Sequence, residues 1–100
     1  MAAIVAVLQA GRDRIEQGWC KGAFARGKTG REVEMAGRAA VAWCVLGATY
    51  GDFPAWDQLA KAAEVSVNQL ARWNDAPTRT QQDVVDLYDR AIELAEKDER

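Results

Sequence analysis

Apolar side chains recur with the period of an α-helix at both ends of this chain. An N-terminal stripe predicts a first helix over residues 3–17, through Ile4, Leu8, Gly11 and Ile15. A C-terminal stripe predicts a last helix from about residue 80 to about residue 97, through Val84, Leu87, Tyr88, Ala91, Leu94 and Ala95. Each stripe must be buried against another element, so the pattern predicts a mainly α fold, a small helical bundle.

The length and composition suit one globular domain. One hundred residues can bury a single core, and 49% hydrophobic with 28% charged residues is ordinary for a soluble chain. We expect one helical domain over residues 1–97 and a charged tail at 98–100. The apolar run AAIVAVL is shorter than a membrane span and follows no basic region. We therefore expect a cytoplasmic protein without a membrane partner.

Residues typical of catalytic and metal sites are scarce. The chain has no histidine, and its two thiols, Cys20 and Cys44, are too few to form a structural zinc site. We expect both cysteines to be small buried hydrophobes, with a disulfide between them as the less favoured alternative. No nucleophile stands beside a candidate base, so we expect neither catalysis nor a cofactor.

The middle of the chain predicts three further helices. Small residues at every fourth position and an adjacent bulky face indicate a buried second helix over 35–50: Ala36, Ala40, Cys44 and Ala48, then Ala39, Trp43, Leu46 and Tyr50. Two short helices over 56–63 and 67–73 follow, joined by a tight turn at 64–66. Three tryptophans are expected to anchor the core: Trp19, Trp43 and Trp73.

GAFARGKT, residues 22–29, matches the phosphate-loop pattern G-x-x-x-x-G-K-[ST]. A working phosphate loop follows a buried strand and opens a helix at its Lys and Ser/Thr. Here the polar stretch RIEQGWCK comes first and Gly30 follows Thr29, so we expect a coincidental match. The segment favours a short Gly-rich hairpin or ordered loop turning at 27–30. Thr29 and Glu32 alternatively have the T-x-x-E spacing of a helix-opening capping box.

Four cations on this hairpin, without an acid between them, form what we call the basic finger: Lys21, Arg26, Lys28 and Arg31. Such a cluster can contact phosphates or an acidic protein surface. The alternative interpretation is a solvated loop.

The connector WNDAPTR carries a second polar cluster, the polar connector: Asn74, Asp75, Arg79 and Thr80. One interpretation is turn formation and capping, with Thr80 and Asp83 as the capping box of the last helix. The other is a recognition site in which Arg79 holds an anionic group beside a helix N-terminus.

LAKAAEVSVNQLARW, residues 59–73, resembles the helix-turn-helix units of bacterial and phage repressors. Ser66 would cap its recognition helix, and three side chains could read bases: Asn68, Gln69 and Arg72. Three features argue against DNA: Glu64 occupies the usual glycine position of the turn, Arg72 is the one basic residue of that helix, and the next helix is acidic.

Four blocks in order carry a wider resemblance: GWCKGAFAR at 18–26, GREV at 30–33, AWCVLGA at 42–48 and WNDAPTRTQQDVVDLYDRAIELA at 73–95. With them, the chain resembles a family of small uncharacterised proteins from bacteria and their phages, a domain of unknown function. The resemblance implies no activity that can be carried over. It also implies that the Gly-Lys-Thr is accidental, since the family's loop after GAFAR is usually acidic.

Charge is divided unevenly along the chain. Residues 1–47 hold seven Lys/Arg and four Asp/Glu, whereas residues 48–100 hold six and eleven. A pI of about 5.1 argues against a general nucleic-acid coat protein. We expect a non-enzymatic macromolecule-binding protein, a phage or mobile-element accessory factor that binds and modulates a host protein. The alternative is a helix-turn-helix DNA-binding regulator.

Overall fold

The computed structural model describes residues 3–98, and most of them are helical. Four α-helices and two short strands occur in this order: α1 (Ala3–Gln17), β1 (Ala25–Arg26), β2 (Ala42–Trp43), α2 (Phe53–Ala63), α3 (Leu70–Asp75) and α4 (Gln81–Asp98). Two 3₁₀ turns, Gly47–Thr49 and Val67–Gln69, precede α2 and α3. The predicted mainly α class is confirmed. None of the helices within 3–98 has the length and apolar character needed to cross a bilayer.

Helices α1 and α4 form the main helix pair, as the two apolar stripes predicted. Tyr88 of α4 is completely buried, and its hydroxyl donates to the carbonyl oxygen of Val45 at 2.6 Å. Gly11 of α1 faces this ring, because a Cβ added there would lie 2.7 Å from Cε1 of Tyr88. Glycine at position 11 therefore lets α1 approach the large side chain closely.

The predicted helix over residues 35–50 is wrong. Turns occupy 35–39, β2 follows, and residues 43–49 form a continuously buried run that ends in the 3₁₀ turn. Gly47 in this run makes a close backbone contact, since a Cβ there would lie 1.9 Å from the carbonyl oxygen of Phe24. Pairing with other segments replaces the helical hydrogen bonds, so long-range contacts override the local four-residue spacing.

Four extended segments form a small sheet around β1, in the order 31–33, 25–26, 42–43 and 18–20. Ala25 pairs with Trp43 in the antiparallel β1–β2 ladder. On the other side of β1, the N–H of Val33 donates to Ala25 O at 3.2 Å. Segment 18–20 joins beyond β2, where the N–H of Cys20 donates to Trp43 O at 3.1 Å. The predicted hairpin with its turn at 27–30 is thus confirmed, and no helix starts at Thr29.

The predicted pair of short helices is also confirmed, as α2 and α3. α2 starts earlier than expected because Asp52 caps it, accepting from the N–H of Ala55 at 2.9 Å. Glu64 ends α2 in the left-handed conformation with φ 59°, the strained position expected for a non-glycine turn residue.

The C-terminal helix begins as predicted. Thr80 and Asp83 form the expected capping box, with N–H to side-chain distances of 2.9 and 3.1 Å. α4 continues to Asp98, the first residue of the predicted tail. The other two tail residues, Glu99 and Arg100, lie outside the described residues.

Candidate functional site

The segment that leads into the hairpin, Trp19–Cys20, meets the polar connector at Asn74. This side chain is completely buried and makes four hydrogen bonds. Its Oδ1 accepts from Trp19 Nε1 at 2.8 Å and from the N–H of Val45 at 3.0 Å. Its Nδ2 donates to Cys20 O and to Asp75 Oδ1, both at 3.0 Å. Every donor and acceptor of the amide is occupied, so Asn74 holds the fold together and offers nothing to a ligand.

Two cations of the basic finger hold the base of the hairpin. Lys21 Nζ donates to Ala76 O of the connector at 2.8 Å. The guanidinium of Arg26 donates to Lys21 O at 3.1 Å through Nη2 and to Gly30 O at 2.8 Å through Nη1. Neither charged group projects freely from the hairpin, because both donate hydrogen bonds to backbone carbonyl oxygens.

The remaining connector residues also serve internal contacts. Asp75 Oδ1 accepts from the N–H of Gly22 at 3.1 Å, which fastens the hairpin base to the end of α3. Arg79 Nε donates to Trp73 O at 2.7 Å, and its guanidinium lies 3.9 Å from the centre of the Trp73 ring. Together with the Thr80 cap, these contacts tie the connector residues to the hairpin base, to α3 and to the start of α4.

The other two finger cations, Lys28 and Arg31, are exposed and line a surface groove of about 290 Å³. Arg38 lines the same groove. It falls within the predicted helix over 35–50 and was therefore not predicted to belong to the basic finger. The floor of the groove contains Val33, Ala39 and Val41. We call this feature the cationic groove, defined by Lys28, Arg31 and Arg38 around that apolar floor.

The cationic groove combines charge with exposed apolar surface. Val41 is 41% exposed, although it belongs to the segment that leads into β2. No carboxylate is among the groove's lining residues in the described chain, and the ion pairs of residues 3–98 use Arg12, Lys61 and Lys97 instead. A surface of this kind suits an acidic ligand that also carries apolar groups.

A second groove of about 310 Å³ lies between the opposite face of the small sheet and α3, with Phe24, Glu32, Cys44 and Ala71 among its lining residues. Phe24 is 49% exposed and stacks against Trp56 with the ring centres 6.4 Å apart. The sequence alone does not mark this aromatic pair, because residues 24 and 56 meet only in the fold. We call this the apolar groove.

The two cysteines are free and buried, as predicted. Burial raises the pKa of the Cys20 thiol to about 11 and also raises the pKa of Cys44. Thiols in this state are poor nucleophiles and poor metal ligands. The presence of Cys44 in the apolar groove therefore does not make that groove a reactive site.

The proposed DNA-reading residues lie at the surface of the α2–α3 unit. Ser66, Asn68, Gln69 and Arg72 are all exposed. The Gln69 side chain is engaged locally, since its Oε1 accepts from the N–H of Ser66 at 2.9 Å. Asn68 lies in the 3₁₀ turn and Arg72 lies in α3, so the two side chains belong to different elements. α3 itself contains six residues, so any recognition surface here is short.

The chain belongs to a family described as Family of unknown function (DUF6197), which matches residues 1–94. The expected resemblance to a domain of unknown function is confirmed at that level. No curated protein and no solved structure matches the chain. The matched range includes the whole hairpin, the connector and both grooves.

Proposed function

We propose that this member of a family of unknown function is a non-enzymatic protein-binding module, and that its cationic groove receives an acidic segment of the partner. The observation that carries the proposal is the lining of the groove, where Lys28, Arg31 and Arg38 surround an apolar floor. Complementary charge steers association, and buried apolar contact supplies affinity.

The distribution of charge supports this assignment. The acidic side chains of the second half of the chain lie largely on α4, whereas the groove belongs to the hairpin region. An acidic partner is therefore attracted to one region of the surface and repelled by another. Such polarity orients the encounter before any contact forms.

The biological role that we propose is that of a phage or mobile-element accessory factor that acts in the cytoplasm and modulates a host protein. This role rests on the sequence resemblance described above, which is an analogy at the family level. The groove supplies a physical means for it, because a small protein can alter a larger one by occupying an acidic surface segment.

The proposal is tested by capture from host lysate with matched charge variants. The groove variant carries Lys28→Ser, Arg31→Ser and Arg38→Ser. The control carries Lys61→Ser, Arg90→Ser and Lys97→Ser, which remove the same charge from exposed positions of α2 and α4. Nuclease-treated lysate should yield a protein that wild type and control retain and the groove variant loses. Equal capture by all three proteins would exclude the groove as the binding site.

DNA binding is a second proposal, favoured by the exposure of Asn68 on the 3₁₀ turn and of Arg72 on α3. Asn can read adenine and Arg can read guanine through paired hydrogen bonds. On this proposal, affinity for DNA falls steeply as salt rises, and Arg72→Ala weakens it further. Fluorescence anisotropy on host DNA fragments measures the affinity. An affinity that changes neither with salt nor with Arg72→Ala rules this proposal out.

A further inference from the structure

The strand at the rim of the cationic groove has an open backbone edge. Residues 31–33 pair with β1 on one side, where Gly27 N–H donates to Arg31 O at 2.9 Å and Val33 N–H donates to Ala25 O at 3.2 Å. Arg26 and Glu32 stand opposite each other between these two bonds. In an antiparallel ladder, a residue in that position directs its own N–H and C=O away from the neighbour. The backbone groups of Glu32 accordingly point out of the sheet.

No hydrogen bond within residues 3–98 uses the N–H or the C=O of Glu32. The N–H of Glu34, two positions further along, also has no partner in this part of the chain. Arg31, Glu32 and Glu34 are exposed, so nothing in the described residues covers this edge. An exposed row of such groups is a template for another strand.

Side chains alternate across the edge strand and divide between the two grooves. Arg31 and Val33 line the cationic groove, whereas Glu32 lines the apolar groove on the opposite face of the sheet. A strand added at this edge would likewise send successive side chains to opposite faces. Its residue opposite Arg31 would meet positive charge, and its residue opposite Glu32 would meet negative charge.

We propose that the partner binds by strand addition, with an extended antiparallel segment pairing to residues 31–33. This inference rests on the proposed function and specifies the class of partner segment. The segment has a basic residue opposite Glu32, an acidic residue after it opposite Arg31, and an apolar residue before it opposite Val33. Backbone hydrogen bonds hold the strand, and the alternating charges fix its register.

The charges at the edge disfavour a second copy of this chain as the occupant. A symmetric antiparallel pair centred on Glu32 would place the two Glu32 carboxylates directly opposite each other. Like charges at opposed positions destabilise a strand pair. The edge is therefore protected against self-association and open to a segment of complementary sequence.

Two labelled seven-residue peptides test the charge pattern by fluorescence anisotropy at low salt. The matched peptide is acetyl-Thr-Thr-Val-Lys-Glu-Thr-Thr-amide, and the swapped peptide, acetyl-Thr-Thr-Val-Glu-Lys-Thr-Thr-amide, has the same composition with both charges mismatched. We expect the matched peptide to bind the full chain about tenfold more tightly or better, because two attractive pairs replace two repulsive ones. Equal affinities, or no binding of the matched peptide at millimolar concentration, would overturn strand addition.

Two protein variants test the backbone hydrogen bonds. Glu32→Pro removes both the side-chain charge and the free backbone N–H. Glu32→Thr removes the same charge but keeps the backbone N–H. Because that N–H has no partner in the described chain, both variants should melt close to the same temperature. Glu32→Pro should bind the matched peptide about tenfold less tightly than Glu32→Thr does. Equal binding by two folded variants would overturn the proposal.

A modified peptide removes any dependence on how Glu32→Pro folds. Methylation of the backbone nitrogen of the peptide's Lys deletes the donor to Glu32 O, whereas methylation of the next residue, Glu, alters a nitrogen that points away from the edge. The first modification should abolish binding to wild type and the second should preserve most of it. Equal losses from the two modifications would contradict the strand geometry.

The lysate experiment separates this inference from the proposed function. A captured protein that the groove variant loses but Glu32→Pro retains in full would leave the proposed function standing and overturn strand addition. A protein that all variants capture equally would overturn the proposed function itself.

Discussion

The side-chain amide of Asn74 connects three stretches of chain that are distant in sequence, at Trp19–Cys20, Val45 and Asp75. The sequence predicted that Asn74 lies on a connector and forms a turn or a cap, but this placement is wrong, because Asn74 lies in the last turn of α3. The burial of Asn74 could not be predicted, because it accepts a hydrogen bond from the indole N–H of Trp19, which is 55 residues away in the sequence. Buried polar side chains are nearly always hydrogen-bonded, and here most of the partners come from segments that are distant in sequence.

We expect Asn74→Ala to lower the free energy of unfolding by roughly 3–5 kcal/mol, because it leaves the Trp19 indole, the Val45 N–H and the Cys20 carbonyl without a partner. Urea unfolding followed by tryptophan fluorescence measures the loss. The exposed Asn68→Ala is the control and should cost under about 0.5 kcal/mol. Similar costs for the two variants would show that the buried network contributes little.

The thiols make a second prediction at the residue scale. Burial raises the pKa of Cys20 to about 11 and raises that of Cys44, so at pH 8 a smaller fraction of each thiol is ionised than in the unfolded chain. We expect a disulfide reagent to modify the native protein about 100-fold more slowly than the urea-unfolded chain. A fast reaction of either cysteine in the native state would show that its site opens readily.

At the scale of elements, the hydrophobic pattern predicted the two terminal helices correctly but predicted a helix over 35–50 that does not form. Both terminal stripes became helices because their apolar faces pack on each other, as their period implies. The four-residue spacing of small residues around Cys44 does not produce a helix, and two glycines make close backbone contacts in this region. Gly18 and Gly47 each sit against a backbone carbonyl, Val41 O and Phe24 O. Small side chains permit close backbone approach in a sheet as well as between helices, and spacing alone does not distinguish the two.

Gly47→Ala discriminates between the predicted helix and the observed turn. In a helix, the alanine would stabilise the chain by about 1 kcal/mol. In this fold, its Cβ would lie 1.9 Å from Phe24 O, so we expect a loss of roughly 3 kcal/mol or more. Thermal and urea unfolding of the variant measure the sign directly, and a gain in stability would contradict the described packing.

The capping box of α4 predicts how stability depends on pH. Hydrogen bonds from Thr80 lower the pKa of Asp83 in the folded state. A lowered folded pKa stabilises the protein above the unfolded value of about 3.9, and that contribution is lost as pH falls through the folded pKa. Asp83→Asn should therefore lower the melting temperature at pH 6 and have little effect at pH 2. A difference that stays constant across this range would contradict the role of the charged cap.

At the scale of the whole molecule, the polarity read from the sequence has a structural counterpart. The sequence shows the excess of cations in residues 1–47. In the structure, however, Lys21 and Arg26 donate hydrogen bonds to backbone carbonyl oxygens of the chain itself. Arg38 took their place at the groove, because the turn at 35–39 brings it beside Arg31. The charge balance of a segment can thus be predicted from the sequence. Which charged side chains cluster on one exposed surface depends on the path of the chain.

Association with an acidic partner should slow as salt rises, because screening shortens the range over which the groove attracts it. Stopped-flow mixing with the captured partner at about 0.05 and 0.5 M salt measures the association rate. Wild type should slow about tenfold or more, and the variant lacking Lys28, Arg31 and Arg38 should start slow and change little. Equal salt dependence of the two proteins would place the attraction elsewhere.

The way in which the hairpin is fastened has a consequence for how such proteins can diversify. Its base is fixed to the connector through Lys21, Gly22 and Asp75, whereas the described hydrogen bonds of its tip, 27–31, stay within the hairpin. Exposed tip residues such as Lys28, Thr29 and Arg31 can therefore change with little effect on the core, whereas Gly30, at φ 83°, favours glycine. On the proposed function, related chains could differ in the segments they bind by exchanging these three tip residues.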